Sequence, residues 1–254
     1  SKDITDHKQE DWPTKVVKPI GRGLVQGEIV DLQGRFNLNQ LLLQAPATGT
    51  SYKDQLTTLL GALGIPSSDA TSISAPVIAD RIFDWIDIND SPEKSGLETL
   101  DYQLLDPPYQ AGNRVLVDLS ELMLVTGLSR DDMDILAEHV SLLPPLSPTN
   151  INTASDIVLG VTGCLDISAI NTARDTDPIP DTDATALSGA NSPFVNVAAC
   201  PNGTPVPYVA KSEFFLLKAK SEVDKKTIQM HSILYRDDVT SASDVKVKVI
   251  LRKH

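Results

Sequence analysis

Residues 212–252, SEFFLLKAKSEVDKKTIQMHSILYRDDVTSASDVKVKVILR, decide the fold class. The side chains alternate with a period of two. Phe215, Leu217, Ala219, Ser221 and Val223 fall on one side of a strand, and Phe214, Leu216, Lys218, Lys220 and Glu222 on the other. Asp224, Lys225 and Lys226 make a turn, and residues 227–236 read as a second strand with Ile228, Met230 and Leu234 on one side. The segment VKVKVILR at 245–252 sets Val245, Val247, Val249 and Leu251 against Lys246, Lys248 and Arg252. Three such strands predict an antiparallel meander with one face in water.

Upstream the pattern changes. Residues 175–207 are rich in Asp, Thr, Pro, Asn and Gly and read as a long surface loop. Before it the period is helical. Leu56, Leu59, Leu60 and Leu63 fall at i, i+3, i+4 and i+7, and Gly64 with Pro66 ends that segment. A second helix starts near Pro76, a good first-turn residue, and runs to Asp87 with Val77, Ile78, Ile82, Trp85 and Ile86 on its apolar face. A short helix spans about 120–125. Ser129 with Asp132, and Thr153 with Asp156, have the spacing of helix N-terminal caps. Residues 20–39, punctuated by Gly21, Gly23, Gly27 and Gly34, read as a strand pair. Strands, then helices, then strands is the order of an α+β fold in which a helical block interrupts a sheet.

The chain has 254 residues, enough to bury a real core, with 41% hydrophobic and 22% charged residues. Its net charge of −12 argues against nucleic acid or an anionic membrane as partner, since both need a positive footprint. The charge is uneven. Residues 45–150 hold 5 Lys and Arg against 16 Asp and Glu, whereas residues 211–254 hold 10 against 6. That asymmetry points to two structural units. No run approaches the ~20 apolar residues of a membrane span. The opening SKDITDHKQEDWPTK has no signal-peptide character and reads as a beginning inside a longer protein.

Residues 84–113, DWIDINDSPEKSGLETLDYQLLDPPYQAGN, are too long and too polar for an ordinary turn. Trp85, Tyr102 and Tyr109 argue that the run is ordered. Asp87, Asn89, Ser91, Glu93, Ser95 and Glu98 occupy positions 1, 3, 5, 7, 9 and 12 of a twelve-residue loop, which is the ligand spacing of an EF-hand. Pro92 stands where that loop needs glycine, so the geometry cannot be regular. Hard oxygen donors at this density suit calcium, because close carboxylates repel unless a cation lies between them. A solvated acidic loop is the alternative reading. A second cluster, Asp175, Asp177, Asp181 and Asp183, repeats a D-x-D spacing, and an exposed hydrophilic loop explains it more simply.

No catalytic motif is present. The four histidines, His7, His139, His231 and His254, are scattered, and a carboxylate pair means little among so many acids, so no enzyme is expected. NINTASDIVLGVTG at 150–163 resembles an element of helix-hairpin-helix DNA-binding proteins. Residues 150–175 carry only Arg174 as a cation, the wrong charge for phosphate, which favours a packing motif. Cys164 and Cys200 are the only cysteines and have no nearby histidine, which argues against zinc. Two free thiols or one disulfide remain. Cys200 lies in the loop AACPNGTPVP, where a buried thiol is awkward, which favours the disulfide. It would close a loop of about 37 residues, worth roughly 3–4 kcal/mol in the chain-entropy model.

Seven pieces in order resemble the general secretion pathway protein K family, the large minor pseudopilin of type II secretion systems. They are GRFNLN at 34–39, DWIDIND at 84–90 and Gly96 with Glu98. PPY at 107–109 with Asn113, ELMLVTG at 121–127, LPPLSPTNINTA at 143–154 and SEFFLLKA at 212–219 complete the set. Where the family often has an acid after Gly-x-Glu, this chain has Thr99. The resemblance implies a pilin-like antiparallel sheet domain, placed at 1–44 and 175–254, with a large α-helical domain inserted at 45–174. It implies calcium, held chiefly by Asp87, Asn89, Asp90 and Glu98, with Ser91 and Glu93 beside them. It also implies a periplasmic protein, held to the inner membrane through an N-terminal helix absent from this chain. The implied role is structural: capping a short pseudopilus with two smaller minor pseudopilins and helping to initiate or limit its assembly. A calcium-dependent module contacting secreted cargo or the outer-membrane channel is the alternative.

Overall fold

The structure is a computed structural model and describes residues 5–43, 50–67, 73–125, 127–185, 192–196, 207–223, 226–237 and 246–253. A five-stranded, wholly antiparallel sheet contains β1 (Val16–Ile20), β2 (Gly23–Asp31), β7 (Phe214–Val223), β8 (Lys226–Arg236) and β9 (Val247–Lys253), in the spatial order β1-β2-β7-β8-β9. The chain is mixed α+β, and the meander read from 212–252 is β7, β8 and β9. One detail of its pattern differs. A bulge between Ile233 and Leu234 pairs Leu234 with Val249 but Ile233 with Leu251. The extra residue, Ile250, turns Leu251 to the face opposite Val247 and Val249. The first hairpin also lies earlier than 20–39. It turns at Gly21, whose φ of +57° suits glycine, while Gly27 sits in extended backbone between Val16 and Ala219.

Between β2 and β7 the regular structure is mainly helical among the described residues. The helices are α1 (Tyr52–Ala62), α2 (Ala75–Ile86), α3 (Thr99–Tyr102), α4 (Arg130–Ala137), α5 (Asp156–Gly160), α6 (Ile167–Thr176) and α7 (Asp181–Thr185). Two parallel strand pairs, β3 (Phe36–Asn37) with β4 (Val140–Ser141) and β5 (Thr149–Asn150) with β6 (Tyr208–Val209), tie each end of the block to the segment around 140–150. The helices form where local signals ask for them. Ser51 accepts the Asp54 amide to start α1, Pro76 lies in the first turn of α2, and Ser129 with Asp132 closes a capping box on α4. The expected cap at Thr153 is instead at Ser155, whose Oγ accepts the Val158 amide at 3.4 Å. The Thr153 hydroxyl is drawn to Asp31, 2.6 Å away.

α1 and α2 pack along Leu56, Leu59 and Leu60 against Ile78, Ile82 and Ile86, all fully buried. The same core takes in Phe36, Leu38 and Leu41 on one side and Ile179, Ala184, Phe194, Val195 and Tyr208 on the other. The expected surface loop at 175–207 is therefore corrected in its described part, because its apolar side chains are core. A smaller cluster, Leu32, Leu143 and Phe214 with Leu216, Ile233 and Tyr235, joins one face of the sheet to the block. The deepest link is polar. Asp31, at the end of β2, accepts hydrogen bonds from Asn150 (3.2 Å), Thr153 (2.6 Å), Ser212 (2.6 Å) and the Gln33 amide (2.8 Å). Beside it Asp6 pairs with Arg236 and accepts the Ser212 amide at 2.7 Å.

Candidate cation site in the acidic run

The run 84–113 is ordered by its aromatics. Trp85 meets Tyr102 edge-on with ring centroids 5.1 Å apart, and Tyr102 stacks on Tyr109 at 5.2 Å. The Asn113 amide returns to the Trp85 carbonyl at 2.9 Å, closing the loop on the end of α2. Inside that frame three carboxylates converge. Asp84 and Glu98 are almost wholly buried, and Asp87 is 7% exposed. Asp84 accepts the Glu93 amide on both oxygens, at 3.2 and 3.0 Å. Gly96 lies so close that a Cβ there would stand 1.6 Å from Asp84 Oδ2, so the loop can wrap this carboxylate only as glycine.

Burial first, then neighbouring acids, raises all three carboxyl groups. Asp84 is pushed up to about 7, with Asp87, Glu93 and Asp80 repelling its charge. Glu98 is pushed up to about 7, with Asp84 and Asp87 the leading like charges. Asp87 is raised by burial and by Glu93. Both Glu98 oxygens and Asp87 Oδ1 are buried without a hydrogen-bond partner. Buried carboxylate oxygens facing like charges and lacking donors are what a hard divalent cation satisfies. As they stand, no three or more His, Cys, Asp or Glu among the described residues are gathered closely enough to hold a metal ion.

Of the residues predicted as ligands, the structure brings Asp87 and Glu98 together. Asn89 lies against Asp87, its Nδ2 donating to that carboxylate, while its Oδ1 accepts the Ser91 amide at 2.8 Å. Asp90 and Ser91 are exposed. Glu93 is turned away to Lys53, at 2.6 Å, and Lys53 also holds Asp80 at 3.0 Å. Regular twelve-residue spacing is thus not realised, as expected with Pro92 at the turn. Asp84 was missed as a donor. Asp80, Asp84 and the C-cap Asp87 fall at i, i+4 and i+7 along one side of α2, a spacing that equally suits a solvent-facing acidic stripe.

The second cluster is split. Asp181 accepts the Ala210 amide at 2.9 Å, Asp177 and Asp183 line an open cleft beside Phe194, and Asp175 lies with His7 and Arg174 in another. In the hairpin of α5 and α6, Arg174 is held inside the fold by the Ala154 carbonyl (2.8 Å) and Asp156 (3.0 Å). Cys164 is buried and is not a free thiol. Cys200, its expected partner, lies outside the described residues. No helix among the described residues is long and apolar enough to cross a membrane.

Comparison with known proteins agrees with this architecture. Residues 34–145 match the family described as Type II secretion system (T2SS), protein K. Type II secretion system protein K of Pseudomonas aeruginosa is 36% identical over 162 residues, covering 63% of this chain and 46% of that protein. The Pectobacterium carotovorum protein of the same name is 31% identical over 144 residues, 54% of this chain and 42% of that one. The chain thus spans about half the length of these relatives. Among solved structures, a chain in the crystal structure of the GspK-GspI-GspJ complex from the enterotoxigenic Escherichia coli Type 2 Secretion System shares the fold. Its TM-score is 0.73 at 23% identity, covering 99% of this chain and 87% of that one. The chain is thus similar in sequence to type II secretion system protein K over residues 34–145 and over more than half its length to these relatives, and it shares the fold of a chain of the GspK-GspI-GspJ complex.

Proposed function

We propose that this chain is a structural minor pseudopilin at the tip of the type II secretion pseudopilus. It would form a complex with two other minor pseudopilins and help initiate or limit assembly for protein secretion, on the periplasmic face of the inner membrane. The observation that carries the reading is the shared fold, over almost the whole chain, with a chain of the GspK-GspI-GspJ complex. The helical block gives a physical reason for a cap, since a subunit this broad would not fit between narrower neighbours. The block is taken as the insertion at about 45–174, and its core also packs against side chains on either side of those bounds, among them Phe36 and Ala210. The test is to mix this chain with the soluble parts of the two smaller minor pseudopilins and measure mass by size exclusion with light scattering. A ternary peak is expected, and three separate peaks overturn the tip reading.

A second reading, a calcium-dependent binding module for cargo or the outer-membrane channel, is favoured by the orphaned oxygens of Asp87 and Glu98. Asp84, Asp87 and Glu98 would hold the ion, with Asn89 and Asp90 at its edge, the side chains drawing together about it. The ion would supply charge neutralisation and fix the path of the loop, and no reaction is attached to it. A bridge from Cys164 to Cys200 would suit an oxidising periplasm. Intact mass under alkylation is expected to show no modified cysteine until reductant is added, and two alkylated thiols without reductant refute the bridge.

A further inference from the structure

The loop that wraps the cation site presents an apolar surface of its own. Leu100 is 76% exposed, Leu104 86% and Met123 55%, with Leu105 and Leu124 exposed beside them. Leu105 and Leu124 are tied to one frame. Leu105 and Tyr109 both donate their amides to the Tyr102 carbonyl, and the Tyr109 hydroxyl donates to the Leu124 carbonyl at 2.7 Å. Leu105 and Leu124 are therefore fixed to the Tyr102–Tyr109 stack, with Leu104 and Met123 next to them in the chain and Leu100 on the same short helix as Tyr102. Their surroundings are acidic. Asp118 and Glu121 are paired with Lys253 and Arg114, but Asp90, Asp101 and Asp106 are exposed and have no cationic partner among the described residues. Across 86–125 the only cations are Lys94 and Arg114, against eight carboxylates.

We propose that this surface docks an amphipathic segment of a partner protein that carries Lys or Arg beside its apolar side chains. Charge complementarity selects that occupant. A second copy meeting the surface face to face would set its unpaired acids against their own images, and an anionic lipid surface would be repelled. The leucines and methionine would supply the affinity, and Asp90, Asp101 and Asp106 the orientation and the rejection of acidic partners. The inference is independent of the tip assignment, and Asp101 and Asp106 keep their charge whether or not an ion is held beside Asp90.

The test titrates this chain with a fluorescent helical peptide of leucine and lysine, and with its leucine and glutamate counterpart, by anisotropy. The lysine peptide is expected to bind and the glutamate peptide not. The triple variant Leu100→Ser/Leu104→Ser/Met123→Ser is expected to weaken binding about tenfold or more. Its melting temperature should change little, because Leu100 and Leu104 are already mostly in water and Met123 more than half so. Equal binding of the lysine peptide by the variant overturns the proposal, as does equal binding of the glutamate peptide. Sedimentation showing a dimer that the triple variant abolishes overturns it in favour of self-association.

Discussion

Two buried groups of carboxylates in this molecule meet opposite fates. Asp31, at the junction of sheet and helical block, is surrounded by donors. Four hydrogen bonds reach it, from Gln33, Asn150, Thr153 and Ser212. Asp84, Asp87 and Glu98, under the acidic loop, are surrounded largely by one another, and three of their oxygens find no donor. Both sites pay desolvation, and donors from within the fold offset much more of it at the first. The difference separates a hub met by donors from a cluster left with like-charged, unpartnered oxygens.

The comparison can be broken at the hub first. Asp31→Ala leaves three side-chain donors and a backbone amide without their acceptor and should cost about 3–5 kcal/mol in denaturant melts. A loss below about 1 kcal/mol would mean that the hub does not hold the two units together. At the loop, calcium at about a hundred times its Kd should add about 2.7 kcal/mol of stability over chelator. Glu98→Gln should lose that gain, yet in chelator melt no lower than the wild-type chain, because it removes a charge from a crowded acidic pocket. Equal melting of the wild-type chain in calcium and chelator would count against the cation.

A smaller effect sharpens the contrast through pH. Burial pushes Asp31 up to about 6 from an ordinary 3.8. The native state therefore takes up this proton before the unfolded chain does, so the contribution is complete below about 3.8 and is lost as pH rises through about 6. In calcium, the stability deficit of Asp31→Ala should widen as pH falls from 7 to about 4.5 in urea melts. A deficit that narrows over that window would show that the donors hold Asp31 ionised more tightly than its burial opposes.

Much of the fold was legible because its signals are local. The alternation at 214–223, the leucine spacing at 56–60, Pro76, and Ser129 with Asp132 each specify an element through neighbours a few residues away. Asp87 and Glu98 were legible as a pair by their spacing in the loop. Asp84 was not, because an acid on a helix reads as solvent-facing until the loop is known to fold back over it. Ile179, Phe194 and Val195 were hidden by the polar residues around them, and Thr153 was misread because its competing acceptor lies far along the chain.

The sequence by itself determined the α+β class, the meander, the α1 and α2 helices, the concentration of acid in one loop and the family resemblance. All follow from side-chain periodicity, turn chemistry and the order of short motifs. Only the tertiary structure decided which acids share a pocket, which carboxylate is satisfied and which leucines stay in water. Those outcomes depend on contacts such as Thr153 and Ser212 to Asp31, separated by 122 and 181 residues. Burial and hydrogen bonding at such separations are set by the packed chain as a whole, and local pattern carries no record of them.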